Sequence, residues 1–178
     1  NSLQFGNSGV EKMRLDSAGN LLLGATTTAA VTNPSTDGIY LSYNGVVHTA
    51  RNSASASNHH VFINSNGTVG AISTNGSATT YATSSDGRLK DITGSARGLE
   101  VINELNPVSY NWKADGKADE GLIAQEVLEI VPNAVSGSEE DYYQMDYSKL
   151  VVHLVAGMKE QQTQIDALQS EINLLKGE

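Results

Sequence analysis

The sequence predicts a β-rich segment of short hairpins over residues 1–84, followed by an α+β region over 85–178 that closes with a long coiled-coil helix. Three observations carry this: a change of composition near residue 85, strand-like runs punctuated by Asn-Gly turns before it, and a heptad repeat after it. Half of residues 1–84 are Ser, Thr, Asn or Gly, a mixture that favours turns and short strands over helices. The segment balances three basic side chains (Lys12, Arg14, Arg51) against three acidic ones (Glu11, Asp16, Asp37), so the net charge of -9 lies wholly downstream.

In the first half, Lys12 to Gly24 alternates apolar residues, turns at Ser17-Ala18-Gly19-Asn20 and resumes with Leu21-Leu22-Leu23, which reads as a hairpin. Gly38 to His48 and His60 to Ile72 repeat the scheme around Asn44-Gly45 and Asn66-Gly67. A single sheet so poor in bulky apolar residues buries too little to offset its conformational entropy, so these hairpins are expected to complete a core between chains.

After residue 85 the punctuation becomes helical. Ser95 to Leu105 puts Leu99, Ile102 and Leu105 on one face, and Asn106-Pro107 ends it. Val108 to Lys113 is a strand with Val108, Tyr110 and Trp112 on one side, and Ala114-Asp115-Gly116 is a turn. Gly121 to Val131 reads as a helix stopped by Pro132, with Ile123, Val127 and Ile130 inward, and Tyr142 to Met145 as a short strand. Asp146 or Ser148 caps a last helix over 146–178. In it Val151, Leu154, Met158, Gln161, Ile165, Leu168, Ile172 and Leu175 recur at alternating spacings of three and four, the a and d positions of a coiled coil from about residue 151. Ile at a with Leu at d leans towards two strands, and Gln161 is placed to fix register.

Composition excludes several functions. With no cysteine among 178 residues there is no disulfide, thiolate metal site or cysteine nucleophile. The acidic balance argues against nucleic acid or an anionic membrane as partner, and the longest apolar runs fall far short of a membrane span. Asn1-Ser2-Leu3-Gln4-Phe5 has no secretory pattern; the chain is expected to be soluble and its start reads as that of an excised fragment. His48, His59, His60 and His153 form no ligand-spaced motif, so no metal and no cofactor is expected. No phosphate-binding glycine loop occurs. Glu139-Glu140-Asp141 reads as a solvated loop, and the sequons at Asn66 and Asn75 as chance matches.

One cluster remains, Ser84-Ser85-Asp86-Gly87-Arg88-Leu89-Lys90, at the compositional boundary. A serine hydroxyl and a lysine free amine can form a dyad without histidine, provided the lysine is desolvated or flanked by a cation such as Arg88. A spacing of five does not put Ser85 and Lys90 on one helical face, so a turn at Asp86-Gly87 would have to fold the lysine back. As a bare pattern it reads first as an interdomain turn with solvated charges.

Taken with Leu105-Asn-Pro-Val-Ser-Tyr-Asn-Trp-Lys113, Gly121-Leu-Ile-Ala-Gln-Glu-Val127 with Val131-Pro132, and Met145-Asp-Tyr-Ser-Lys-Leu150, the cluster resembles the intramolecular chaperone auto-processing domain that ends bacteriophage tail spikes and tail fibres, endosialidases included. Residues 1–84 are similar to the repetitive fibre segments of such proteins, notably Met13 to Asn20 and Gly67 to Ser77. The resemblance implies a trimeric fibre stub followed by a chaperone domain. It implies a homotrimer, against the two-strand leaning of the heptads, with the upstream fibre of the same polypeptide as folding client. It also implies a virion tail location after assembly in the host cytoplasm. The cut it implies lies between Ser84 and Ser85, with Ser85 as nucleophile, Lys90 as base, and Asp86 and Arg88 in support. A non-cleaving trimerisation cap and a receptor-binding fibre tip are the alternatives; a protease acting on other proteins is the weakest, for want of a substrate cleft.

Overall fold

A computed structural model describes residues 2–28 and 37–177, so Asn1 and Glu178, at which the sequence reading begins and ends, lie outside the described residues. The chain forms two compact units, Asn1–Asp91 and Ile92–Glu178.

Two antiparallel sheets carry the first unit. Strands β1 (Leu3–Asn7), β2 (Val10–Leu15), β3 (Leu21–Leu23), β4 (Gly38–Leu41) and β5 (Val47–Ala50) form an antiparallel meander in that order. A second meander contains β6 (Ser57–Asn64), β7 (Gly67–Asn75) and β8 (Ala78–Thr83). Asp16 closes the β2–β3 turn: its carboxylate accepts the N–H groups of Ala18 and Asn20, both at 2.9 Å, and the Asn20 side-chain amide at 2.8 Å. Two expected Asn-Gly turns form one residue out of place. In β4–β5 the central residues are Tyr43 and Asn44, and in β6–β7 they are Ser65 and Asn66. Gly45 (φ +87°) and Gly67 (φ +93°) follow as the left-handed residues, the three-residue hairpin in which a type I turn needs a glycine after it. The buried apolar set is small, Leu22, Ala25 and Ala50 with Tyr40 against them. None of the β6, β7 or β8 residues is buried.

The second unit is α+β: α1 (Leu99–Glu104), β9 (Val108–Asn111), β10 (Ala118–Gly121), α2 (Ala124–Ile130), β11 (Val135–Ser136), β12 (Gln144–Met145) and α3 (Val151–Lys176). Val101, Val127, Val131, Ala134 and Leu150 make its core. Three expectations are corrected. Helix α1 begins at Leu99 rather than Ser95, and Val101 is the residue it buries, with Leu99 and Ile102 half-buried beside it. Gly121 ends β10, so α2 starts at Ala124 and Ile123 sits before it in extended backbone, exposed. Trp112 lies just past β9 and is exposed, its indole N–H donating to Asp119 at 3.2 Å. Before α3 the chain makes one 3-10 turn, Tyr147–Leu150, capped by Asp146.

Helix α3 packs on α1 through a small-residue face rather than through the heptad face. Gly157 is buried; a Cβ there would meet Ile102 Cδ1 at 2.6 Å, and one on Gly98 would meet Gly157 N at 2.7 Å. Around this crossing Glu160 accepts Leu99 N–H at 2.8 Å, and His153 Nδ1 lies 2.7 Å from Arg97 O. Gly157→Leu should therefore overpack the crossing and destabilise this unit by about 1–3 kcal/mol, read as an earlier melt of the helical circular-dichroism signal.

Candidate functional site

Strand β8 ends at Thr83, and its pairing with β7 continues one residue further. Ser84 N–H donates to Val69 O at 3.1 Å, and Ser84 Oγ donates to Thr68 O at 3.3 Å. Past that rung the chain turns. Asp86, in extended backbone, caps a single 3-10 turn, Gly87–Leu89, by accepting Arg88 N–H at 2.9 Å. Leu89 N–H bonds Asp86 O and Lys90 N–H bonds Gly87 O, both at 3.1 Å. The turn exists because Asp86 is a short acceptor with no competing helix to join, and its side chain takes the Arg88 N–H.

The 3-10 turn brings Lys90 back over Ser85, with Nζ 2.8 Å from Ser85 Oγ. The structure thus joins Ser85 to Lys90 and Asp86 to Arg88 as two separate pairs. The Arg88 guanidinium holds the Asp86 carboxylate by Nε at 3.0 and 3.1 Å and by Nη2 at 2.6 Å. That bond, then Arg88 N–H, and the charge of Lys90 hold the Asp86 carboxyl below the usual carboxylate range; Asp86 in turn pushes Arg88 up. Arg88 is therefore spoken for by Asp86, and its charge is largely neutralised as a neighbour for the lysine. All residues from Ser84 to Asp91 are exposed, Leu89 at 75%.

Sequence reasoning did not single out Thr68 and Val69. They act through main-chain oxygens, which no side-chain pattern reports. Of the four histidines, His48 stacks on Tyr40 at 4.9 Å, His59 bridges Thr49 and Thr74, His60 follows it in β6, and His153 sits on α3. Among the described residues no group of acidic and histidine side chains is arranged to hold a metal ion, and no helix is long and apolar enough to cross a membrane.

The hydroxyl and the amine that meet at the start of the second compositional region fall at one end of a stretch that a family model matches. Residues 85–136 match the family model Peptidase S74, chaperone of endosialidase. The matched segment starts at Ser85 and runs through the turn, α1, β9, β10 and α2 to the end of β11. The match is consistent with a general chaperone and auto-processing role for the segment it covers. No curated protein and no solved structure matches the chain.

Proposed function

We propose that this chain is a phage tail-fibre or tail-spike segment carrying its own trimerisation chaperone, which cuts itself free between Ser84 and Ser85. The observation that carries the proposal is the 2.8 Å approach of Lys90 Nζ to Ser85 Oγ at the first residue of the chaperone-of-endosialidase match.

The chemistry follows from those two groups. Lys90, as the free amine, takes the hydroxyl proton while Ser85 Oγ bonds to the carbonyl carbon of Ser84. The C–N bond breaks, the Ser85 nitrogen takes a proton, and Ser84 is left esterified to Ser85 Oγ. Water then splits the ester, giving a carboxylate at Ser84 and a free α-amine at Ser85. The substrate bond is covalently next to its nucleophile, so the reaction draws on the effective concentration of an intramolecular step and needs no cleft. It runs once per chain. A lysine serves as base only when water is kept from its ammonium form, and Ser85 and Lys90 are both exposed in one chain, so assembly would supply the cover.

Assembly is read from α3. Its a and d residues Val151, Leu154, Met158, Ile165, Leu168, Ile172 and Leu175 are all exposed, and from Gln161 to Ile172 every residue is. An apolar stripe of that length on a 26-residue helix is covered when copies of the chain pack it against one another, and three copies is the number the resemblance implies. A cut made only after assembly leaves the fibre without the domain that folded it, so its stability becomes kinetic.

The hydrogen bond lies within one chain, so co-assembling Ser85→Ala chains with Lys90→Ala chains should give no fragments. Cutting in the mixed assemblies would assign the base to a neighbouring subunit.

A further inference from the structure

The rung that precedes the turn is built in a particular way. Pairs of β7 and β8 run Gly70 with Thr83, Ala71 with Ala82 and so on, and the Ser84 N–H to Val69 O bond is the next position of the same register. On the other side of β7, however, the register with β6 slips: Phe62 faces Gly70 while Ile63 faces Thr68. Val69 is the extra residue of a β-bulge. In a regular strand successive carbonyls point to opposite neighbours. At this bulge two successive carbonyls, Thr68 O and Val69 O, both end on Ser84, one on its hydroxyl and one on its N–H.

We propose that the Thr68-Val69 bulge is a positioning clamp for the residue whose carbonyl is attacked, so that cutting requires the three-stranded β6–β8 sheet to be paired in register. The inference rests on the reading that the Ser84–Ser85 bond is the one cut. Two hydrogen bonds fix the nitrogen and the side chain of Ser84, leaving the rotation about its Cα–C bond to set the carbonyl against Ser85 Oγ. The 3-10 turn fixes the other partner. The nucleophile and base belong to the turn, the electrophile to the last rung of the sheet, and a chain whose β7–β8 ladder is open or out of register presents the carbonyl at random. Cutting then reports on the fold of the segment immediately upstream, the segment it would set free.

Ser84→Ala removes the hydroxyl donor alone and should slow cutting about threefold to tenfold, the worth of one hydrogen bond, while Ser84→Thr keeps the donor and restores most of the rate. Gly70→Val attacks the ladder itself: a Cβ at Gly70 meets Ala82 O at 2.9 Å, so β8 is pushed from β7 beside the last rung. It should slow cutting by more than about tenfold. Rates are read as single-turnover time courses of fragment appearance at several pH values, with the helical circular-dichroism melt of the second unit measured beside them. A clamp defect lowers the rate by the same factor at every pH and leaves that melt in place. Rates of Ser84→Ala and Gly70→Val equal to the parent's, in a parent that cuts and a Ser85→Ala chain that does not, would overturn the clamp and leave the cleavage reading intact. A parent that never cuts would overturn both.

Discussion

Ser85→Ala chains are expected to stay whole, and so are Lys90→Arg chains, while both assemble like the parent. The first loses the nucleophile, and loss of a nucleophile typically lowers a serine hydrolase's rate by roughly four orders of magnitude or more. The second is the sharper test. Arginine preserves the positive charge and the reach that place Lys90 Nζ 2.8 Å from Ser85 Oγ, and a guanidinium donates hydrogen bonds as an ammonium does. It cannot give up its proton near neutral pH, so it can hold Ser85 but cannot deprotonate it. Denaturing gel time courses together with sedimentation of the native species separate the two effects. An arginine chain that cuts at the parent's rate would reduce Lys90 to a positioning cation.

The second large effect belongs to α3. Ile165→Asp together with Leu168→Asp should convert the assembly to monomers and abolish cutting with it. Both side chains are exposed in the single chain, so neither change touches the core of Val101, Val127, Val131, Ala134 and Leu150. In a packed seam, by contrast, unpaired carboxylates cost several kcal/mol, and every 1.4 kcal/mol, about, is a factor of ten in the association constant. Sedimentation equilibrium reads the assembly, and the melt of the second unit shows that the monomer remains folded. An assembly that survives both substitutions would mean that the stripe is not what joins the chains.

The long helix α3 was legible because an apolar period of 3.5 is sustained from Val151 to Leu175 without a proline to break it. What the same helix does within its own unit was not legible. Gly157 carries no periodic signal, yet it is the residue that lets α1 approach, and a glycine's meaning depends on the neighbour that arrives beside it. Val101 escaped for a related reason. In a helix of six residues, the spacings of Leu99, Ile102 and Leu105 fit a face as well as any other, and only packing in the cluster with Val127, Val131, Ala134 and Leu150 decides that Val101 turns inward. Ile123 went the opposite way because Gly121 stays in β10, which moves the start of α2 past it. In the hairpins, the Asn-Gly pairs announced turns but not their lengths, since the same dipeptide serves at the centre of a two-residue loop or at the end of a three-residue one. At the candidate site, side-chain chemistry raised Ser85 and Lys90 with Arg88 as a neighbouring cation, and the resemblance gave them, with Asp86, their roles. That Asp86 would take Arg88 for itself, leaving the lysine to the serine, depends on a 3-10 turn that no periodicity marks. The bulge at Thr68-Val69 speaks only through carbonyl oxygens, and those have no letter in a sequence.

The measurement that tests the central claim most directly is the intact mass of the freshly made parent chain under denaturing conditions. The account predicts two species, one ending at Ser84 with a free carboxylate and one beginning at Ser85 with a free amine. A single species at the mass of the whole chain, from material shown to be assembled, would contradict it.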